Sequence, residues 1–216
     1  MLKFLNVSYG ELSEIQSEEL YQLRKKTFYD RLNWEVSCQH EMEIDEFDTP
    51  DARYILGILN GDIICSVRFL QLAKPNMITH TFNKNFSDVP LPAEGVETSR
   101  FFVDKHRAKA YLGDKYPISN ALLLSMINYA RSENLAGIYT IVSRAMVTIL
   151  KRSGWPIKIL KESRLKADEF IYLLYLPTDT NSQNIMARKV AGVLDASPEE
   201  LSSWPMHVPL MQDLVL

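Results

Sequence analysis

The sequence has little cysteine, few histidines and no long hydrophobic run, and each shortage excludes a class of protein. With two cysteines among 216 residues, Cys38 and Cys65, no disulfide framework is expected. Neither the cysteines nor the four histidines have the spacing of a metal site, so no metal is expected. No apolar run approaches the roughly 18 residues of a membrane-spanning helix, so no membrane insertion is expected.

The chain also lacks internal repeats, low-complexity segments and a secretion signal. Residues 1–7 contain one lysine and too short an apolar run for a signal peptide, so we expect a cytoplasmic protein. The net charge is −3, and the basic segment at residues 144–166 is too small and too poor in aromatics to indicate a nucleic-acid partner. The apolar fraction of 46% suits one sizeable core.

One apolar stretch, Val96 to Val103, stands out because it carries charges. Its β-branched and aromatic residues predict a buried strand, yet it contains Glu97, Ser99 and Arg100. A charge in a buried strand is costly unless it is paired or used. An ion-pair network is the alternative, but we interpret these side chains as a functional site.

Hydrophobic periodicity predicts an α/β protein with a mixed sheet and three layers, α-β-α. Helices are predicted over residues 12–29, 118–132, 144–152 and 181–193, and strands over residues 53–59, 62–72, 96–103, 137–143, 157–159 and 170–176. Asn60-Gly61 predicts a tight hairpin between the first two strands. We expect residues 1–194 to form a single domain and residues 195–216 to be a loosely held tail.

Charge is distributed unevenly along the chain. Residues 1–48 contain eleven acidic and five basic residues. The acid-rich segment from residue 30 to residue 51 is either solvated chain anchored by Trp34 or a lid over a cationic ligand, and both interpretations remain open. Residues 144–166 contain seven basic residues and one acidic residue, a balance that suits docking of a compact acidic partner.

The charged strand completes a pattern that resembles the N-acyl-homoserine lactone synthases, the bacterial enzymes of quorum-sensing autoinducer synthesis. The matching residues are Arg24, Phe28, Trp34, Asp45, Asp48, Arg68, Glu97, Ser99, Arg100 and Phe101. Their joint order and spacing is specific and spans about residues 1–176. The resemblance implies an acetyltransferase-like fold with a splayed central strand pair. It also implies an acyltransferase that joins the acyl chain of acyl-acyl carrier protein to S-adenosylmethionine, closes a lactone and releases methylthioadenosine.

The resemblance assigns roles to these residues. Glu97 is the expected catalytic base, with Arg100 in the same site. The S-adenosylmethionine pocket and its ion-pair network are assigned to Arg24, Phe28, Trp34, Asp45, Asp48, Arg68 and Phe101. The chemistry agrees, because the substrate amine must lose a proton before it attacks the thioester. An aromatic ring suits a sulfonium and an arginine suits a carboxylate. Which arginine binds that carboxylate stays open, as does whether Asp45, Asp48 and Arg68 touch the ligand or only tie the N-terminal loop to the sheet.

Strand alternation conflicts with the placement of Glu97 and Arg100 in one site. In a regular strand, Glu97, Ser99 and Phe101 share one face, while Arg100 points to the other. Glu97 and Arg100 then cannot line one pocket unless a β-bulge re-aims one of them. We therefore predict a bulge near residues 97–101.

The donor side of the reaction is also suggested by the sequence. A coenzyme A enzyme of this layout holds the pyrophosphate on a glycine-rich turn after the central strand. Residues 104–110 contain no glycine, which favours the acyl-phosphopantetheine arm of an acidic acyl carrier protein. Lys151, Arg152 and Lys158 are the expected docking residues. No permanently bound cofactor is expected, since S-adenosylmethionine is a substrate.

The acyl chain needs an apolar pocket with few polar contacts. Its expected lining residues are Ser99, Met126, Thr140, Val142, Met146 and Leu150. A buried strand threonine is usually only a packed β-branched residue, but in the family a threonine matching Thr140 goes with 3-oxo acyl chains. The expected product therefore carries a 3-oxo chain of six to eight carbons.

Two other functions compete with this interpretation. One is an acyl-coenzyme A-dependent N-acetyltransferase-type enzyme, which the missing glycines and the acid-rich segment disfavour. The other is a non-catalytic module that binds acyl carrier protein, which the intact pair of Glu97 and Arg100 weakly disfavours.

Overall fold

The structure is a computed structural model that describes residues 1–211, and an eight-stranded sheet lies at its centre. The strands are β1 Leu2–Ser8, β2 Cys38–Gln39, β3 Met42–Glu43, β4 Arg53–Leu59, β5 Asp62–Gln71, β6 Val96–Val103, β7 Ile138–Ser143, β8 Lys158–Lys166, β9 Glu169–Leu176 and β10 Met206–Val208. The helices are α1 Glu14–Arg24, α2 Asn83–Phe86, α3 Lys105–Leu112, α4 Ile118–Ser132, α5 Arg144–Ser153 and α6 Thr180–Leu194. A π-helical segment, Lys25–Arg31, continues α1.

The sheet order is β10-β1-β4-β5-β6-β7-β9-β8, and β2 and β3 form a separate ribbon. Within the described residues β6 and β7 run parallel, whereas the other neighbours in the large sheet are antiparallel. One buried cluster joins one face of the sheet to α1 and the π-helical segment, and another joins the opposite face to α4 and α6. The predicted mixed three-layer architecture is therefore confirmed.

The predicted hairpin is present between β4 and β5. Leu59 pairs with Asp62 across a turn made of Asn60 and Gly61. Both turn residues have positive φ, 56° and 95°, which is the conformation that asparagine and glycine tolerate best. Near the end of β5, Arg68 lies opposite Ser99 of β6.

The parallel strands β6 and β7 separate soon after they meet. The register contains two pairs, Val96 with Ile138 and Glu97 with Tyr139. Just beyond them, the Thr140 hydroxyl of β7 donates a hydrogen bond to the carbonyl oxygen of Thr98 on β6 at 2.8 Å. At the point where the strands part, this side-chain hydrogen bond takes the place of the backbone hydrogen bonds between the strands. This agrees with the predicted splayed pair.

The bulge demanded by the sequence lies at Arg100. Ser66 of β5 pairs with Phe102, and Arg68 pairs with Ser99. Val67 therefore lies opposite two residues of β6, Arg100 and Phe101. Arg100 has a left-handed φ of 55°. The extra residue turns Arg100 toward the face that carries Glu97, and it reverses the alternation for the rest of the strand.

Three differences from the sequence-based expectations concern the sheet and the segment that follows β6. Residues 105–112, expected as a polar connection, form α3, because their polar composition hides the helical period while Asp104 caps the first turn. The basic turn expected after residue 159 is instead most of the edge strand β8. β1 was not predicted, although it is hydrogen bonded to β4 along six residue pairs.

The C-terminal segment is packed rather than loosely held. β10 pairs with β1, and the side chains of Leu201, Met206 and Val208 are fully buried. The Asn128 amide on α4 donates to the carbonyl oxygen of Leu201 at 2.7 Å. The expectation of a loose tail is therefore wrong for residues 195–211; residues 212–216 lie outside the described part of the chain.

Among residues 1–211, no helix has both the length and the apolar character needed to cross a membrane. The same residues contain no group of three or more histidine, cysteine or acidic side chains arranged to hold a metal ion. Glu43, Asp45 and Asp48 do lie close together, but arginines occupy their oxygens.

Candidate active site

A buried ion-pair network lies between the sheet and the N-terminal layer. Its members are Arg24, Arg68 and Arg100 with Glu43, Asp45 and Asp48. Arg24 donates from Nε to Glu43 at 2.6 Å and from its two terminal nitrogens to Asp48 at 2.7 and 2.9 Å. Three positive and three negative charges give the cluster no net formal charge, which limits the cost of burying it.

The sheet supplies the other two arginines of the network. Arg68 donates to Asp45 at 2.5 and 2.9 Å and to Asp48 at 2.9 Å. Arg100 donates from one terminal nitrogen to Glu43 at 2.9 Å and to Asp45 at 2.8 Å. The acid-rich segment is therefore tied onto β5 and onto the bulge of β6, and five of the sequence-predicted residues come together here.

Local backbone geometry holds the carboxylates in place. The Asp48 side chain accepts from the backbone N–H of Asp45 at 2.9 Å, and the Asp45 side chain accepts from the N–H of Phe47 at 2.9 Å. The Tyr54 hydroxyl on β4 donates to Asp48 at 2.7 Å. These bonds make the segment a structured wall of the site rather than solvated chain.

Opposite charges in the network shift the pKa values of Asp48, Asp45 and Arg24 toward their ionised forms. Burial alone would raise the pKa of Asp48, but Arg24 and Arg68 lower it well below its ordinary value. Burial would likewise raise the pKa of Asp45, and the hydrogen bonds from Arg68 lower it. For Arg24, burial acts to lower the pKa and the neighbouring carboxylates raise it. At neutral pH these three groups are therefore fixed charges within the network.

Glu97 lies beside this network but outside its ion pairs. The residue is 1% exposed, and its Oε2 accepts from the backbone N–H of Ile78 at 2.9 Å. Burial raises the pKa of Glu97 to about 7, although the Ile78 N–H, Arg68 and the Ser99 hydroxyl lower it in part. A carboxylate with such a pKa can accept a proton and release it near neutral pH, as a general base must.

An aromatic stack adjoins the charged network. Phe28 of the π-helical segment stacks on Trp34 with ring centroids 5.1 Å apart, and the Arg100 guanidinium lies 5.5 Å from the Phe28 centroid. Phe102 meets the edge of Phe28 at 6.4 Å. Trp34 is 42% exposed, so the stack extends from the buried network to the surface.

The bulge changes which phenylalanine of β6 faces this stack. Strict alternation placed Phe101 on the face of Glu97, but the structure packs Phe101 against the cluster that contains α4. Phe102 takes the position beside Phe28. The expected face of Phe101 is therefore corrected, because the sequence could demand a bulge without showing that it would exchange the two neighbouring rings.

Arg100 differs from the other two arginines in its surroundings. The side chains of Arg24 and Arg68 are 1% and 0% exposed, whereas that of Arg100 is 7% exposed. One terminal nitrogen of Arg100 has only the Met77 thioether as a partner, at 3.6 Å, among the described residues. Since a thioether is a weak acceptor, this nitrogen is the one best placed to take a stronger partner.

The residues expected to line the acyl pocket lie on both sides of the splayed strands. Met126 and Leu150 are buried in the cluster around α4, and Val142 and Met146 are partly buried against it. On β6, Ser99 accepts from Arg68 Nε at 3.2 Å. Thr140 lies on β7 at the point where the strands part, and its hydroxyl is bonded to the Thr98 carbonyl oxygen.

The basic residues expected to dock a carrier protein are exposed. Lys151 and Arg152 lie in the last turn of α5, and Lys158 begins β8. Within residues 1–211, no carboxylate approaches these three side chains to ion-pair distance, whereas Lys161 binds Asp88 at 2.5 Å. The three cations are therefore available to an external partner.

Sequence reasoning missed three contributors to the site. Glu43 is fully buried and binds both Arg24 and Arg100, but it was one acid among several in the segment. Met77 and Ile78 reach the site from an irregular loop with no periodicity. Glu43 has one available signal, since it alternates with Asp45 and so points to the same side in extended chain.

Similarity to known proteins agrees with this geometry. A family model described as autoinducer synthase matches residues 8–186. The chain belongs to the autoinducer synthase family. An acyl-homoserine-lactone synthase of Yersinia ruckeri is 54% identical over 100% of both chains, and one of Pantoea stewartii subsp. stewartii is 55% identical over 97% of this chain and 100% of that one. The synthase is accordingly an acyltransferase that forms acyl-homoserine lactones, which confirms the expected class of enzyme.

Solved structures share the fold of the synthase. The LasI synthase matches with a TM-score of 0.76 at 21% identity, covering 86% of this chain and 94% of LasI. BjaI, a coenzyme A-dependent synthase solved with S-adenosylmethionine and isopentyl-CoA, matches with a TM-score of 0.76 at 16% identity, covering 88% and 90%. An acyl-CoA N-acyltransferase from Pseudomonas aeruginosa matches with a lower TM-score of 0.57 at 16% identity, covering 82% of this chain and 100% of its own. The acetyltransferase-like fold is therefore confirmed.

Proposed function

We propose that this synthase takes its acyl chain from acyl-acyl carrier protein and transfers it to the α-amine of S-adenosylmethionine. The observation that carries the proposal is Glu97, a buried carboxylate with a raised pKa at the point where β6 and β7 part, beside a neutral network of fixed charges. A thioester bound where the two strands part would lie next to this base. The binding of S-adenosylmethionine by BjaI, which has the same fold, supports the choice of amine substrate.

The first bond change is aminolysis of the thioester. The amine nitrogen attacks the thioester carbon, a C–N bond forms, and the C–S bond breaks to release the carrier thiol. Glu97 takes the proton that the amine loses, directly or through one water. Backbone N–H groups on β6 that the β7 ladder leaves free are suited to the developing oxyanion.

The second bond change closes the lactone. A substrate carboxylate oxygen attacks the γ-carbon, a C–O bond forms, and the C–S bond to the sulfonium breaks to release neutral methylthioadenosine. This step is intramolecular, so it depends mainly on folding the substrate into place. Phe28 and Trp34 supply π-faces for the cationic substrate, and the terminal nitrogen of Arg100 that contacts only Met77 supplies a charged donor for its carboxylate.

A methylthioadenosine-release assay tests the proposal. The synthase is given S-adenosylmethionine with either acyl-acyl carrier protein or the same acyl group on coenzyme A, and the lactone is identified by mass spectrometry. We expect a larger kcat/KM for the carrier-bound donor and a 3-oxo product of six to eight carbons. Release with coenzyme A thioesters alone would contradict the proposed donor, and no release with any acyl donor would contradict the proposed reaction.

Replacing Arg100 by lysine should weaken substrate binding. Arg100→Lys retains the charge but cannot bind Glu43 and Asp45 and still offer a further nitrogen to the substrate, so KM for S-adenosylmethionine should rise about 10- to 100-fold. Methylthioadenosine has neither the carboxylate nor the amine, so its dissociation constant should change little. Equal weakening of both ligands would mean that Arg100 acts through the fold. Arg107→Lys, a change at another ion-paired arginine, is the matched control.

The Thr140 hydroxyl should govern the preference for 3-oxo chains. In the free protein its hydrogen is donated to the Thr98 carbonyl, so the acyl ketone must take that carbonyl's place. Thr140→Val removes the donor, and the ratio of kcat/KM for 3-oxo over unsubstituted chains should fall about tenfold. Thr148→Val removes a hydroxyl that bonds within α5 and should leave the ratio unaltered. An unchanged ratio for Thr140→Val would mean that Thr140 is only a packed β-branched residue.

A further inference from the structure

We propose that Asn76 positions the base Glu97, because its buried side-chain amide folds the loop whose backbone binds that carboxylate. The inference rests on the proposed role of Glu97 and names a residue that acts on it through the loop. Asn76 is 0% exposed, although it belongs to an irregular connection between β5 and α2. Burying an amide is costly unless its hydrogen bonds are satisfied, so the partners of Asn76 indicate what it holds in place.

The Asn76 side chain joins two parts of this loop. Its Nδ2 donates to the carbonyl oxygen of Lys74 at 2.8 Å and to that of Leu72 at 3.4 Å. Its Oδ1 accepts from the backbone N–H of Thr79 at 3.0 Å. Asparagine side chains commonly stabilise turns by such local bonds. One amide thus ties the chain that leaves β5 to the turn that follows Asn76.

The turn after Asn76 presents backbone N–H groups to Glu97. The N–H of His80 bonds back to the carbonyl oxygen of Asn76 at 3.0 Å, which closes the turn. Between these two residues, the N–H of Ile78 donates to Glu97 Oε2 at 2.9 Å. A hydrogen bond from the N–H of Met77 also lowers the pKa of Glu97. Asn76 therefore holds together the turn whose remaining donors point at the base.

The same turn reaches the arginines of the charged network. The Met77 thioether lies 3.6 Å from a terminal nitrogen of Arg68 and 3.6 Å from one of Arg100. A loosened turn would therefore disturb both the base and the nitrogen of Arg100 that we assign to the substrate carboxylate. Only the effect on the base changes a pH profile, and this separates the two.

The other titratable neighbours of Glu97 come from the sheet and from the turn. Arg68 of β5 lowers the pKa of Glu97 by its charge. Tyr139 of β7 pairs with Glu97 in the parallel register, and His80 of the turn is exposed. Within residues 1–211, no hydrogen bond joins the side chain of Asn76 to any of these side chains. A change at Asn76 therefore alters the backbone donors to Glu97 and leaves these groups in the protein.

The test measures the pKa of Glu97 directly, by carbon-13 NMR titration of its carboxyl group in the free protein, with Glu97→Gln to assign the signal. Asn76→Ser keeps an acceptor for Thr79 but loses the donors to Lys74 and Leu72. We expect the pKa of Glu97 to rise by about one pH unit, because weaker N–H bonds favour its ionised form less. The amide proton of Ile78 should exchange with solvent about tenfold faster.

The acid limb of the kcat/KM profile should move upward with the pKa of Glu97. The loss in kcat/KM should therefore be larger at neutral pH than at pH values above the limb. A role of Asn76 in folding alone would lower kcat/KM by the same factor at every pH.

Asn76→Asp is the second variant and replaces Asn76→Ser should the latter fail to fold. It keeps the shape and the acceptor for Thr79, but it sets an oxygen against the two carbonyl groups. Its charge could also raise the pKa of Glu97 through space, so faster exchange of the Ile78 amide is required as well. A raised pKa of Glu97 in Asn76→Asp without faster exchange would count against the inference.

Asn128→Ser is the matched control. Asn128 is 2% exposed and likewise donates to two backbone carbonyl groups, of Leu201 at 2.7 Å and of Ser203 at 3.1 Å, but it lies on α4. This variant should leave the pKa of Glu97 and the exchange of Ile78 at their wild-type values. An unchanged pKa of Glu97 in a folded Asn76 variant, or an equal change in Asn128→Ser, would overturn the inference. If the pKa of Glu97 rises while the acid limb of kcat/KM stays in place, Glu97 fails as the base and the control of its carboxylate by Asn76 stands.

Discussion

Glu97→Gln should reduce kcat by about 10²- to 10⁴-fold and leave the fold intact. The amide cannot accept the proton of the attacking amine, but its oxygen can still accept the N–H of Ile78, so the loop that carries Ile78 keeps its anchor. The measurement is methylthioadenosine release under saturating substrates. Glu46→Gln alters an exposed acid of the neighbouring segment and should have the wild-type rate.

The pH dependence identifies the mechanism of this loss. Because the base must be ionised, kcat/KM of the wild-type enzyme should fall as the pH drops through about 7, the pKa to which burial raises Glu97. The Gln variant should lose this limb of the profile. A wild-type rate for Glu97→Gln, or an unaltered acid limb in its residual activity, would remove Glu97 as the base.

Glu97→Gln should lower activity but raise the free energy of unfolding above pH 7. The ordinary pKa of a glutamate is 4.5 and that of folded Glu97 is about 7, so between these values the folded protein holds a proton that the unfolded chain has lost. The wild-type free energy of unfolding therefore declines as the pH rises through this window, by roughly 3 kcal/mol in total. The glutamine of Glu97→Gln does not ionise, so the free energy of unfolding of this variant lacks that pH dependence. Urea unfolding above pH 7 should show the variant to be more stable than the wild-type enzyme, as expected for a charge that is buried for function.

The centre of this site could be predicted from the sequence, because its charged residues interrupt the apolar pattern of a buried strand. A buried strand with Glu97 and Arg100 conflicts with its own alternation, and only a bulge resolves that conflict. The structure has the bulge, and Arg100 adopts a left-handed φ of 55° that non-glycine residues rarely adopt. Such local strain persists where the surroundings fix it, here through bonds from the guanidinium to Glu43 and Asp45.

Other features could not be predicted, for identifiable reasons. α3 has mixed polar residues without a regular apolar stripe, so its capping by Asp104 mattered more than its periodicity. β10 has only three residues and pairs with β1 at the other end of the chain, so no local pattern indicates it. Glu43 and Ile78 lack local signals because long-range packing determines their roles. Local patterns thus predicted the elements, while pairings between distant segments completed the site.

Arg24→Ala should destabilise the fold strongly. Arg24 is 1% exposed and supplies three hydrogen bonds to Glu43 and Asp48, whose side chains are fully buried. Removing one partner of a buried ion pair leaves uncompensated charge and costs about 3–5 kcal/mol. We expect a loss of this size in the free energy of unfolding at pH 7, measured in urea. Lys109→Ala, which breaks an exposed pair with Asp114, should have no measurable effect.

Acidification separates charge from packing as the cause of this loss. In the wild-type protein the pKa of Asp48 is lower than in the unfolded chain, so ionised Asp48 stabilises the fold at any pH above the ordinary pKa of an aspartate. This stabilisation is lost as the pH falls to the lowered pKa of folded Asp48. Without Arg24 the pKa of Asp48 should rise, so the variant should lose less stability than the wild-type protein as the pH is lowered. The difference between the two proteins should therefore narrow in acid. A difference that stays constant with pH would assign the effect of Arg24 to its packed side chain, and the network would then hold the acid-rich segment by shape rather than by charge.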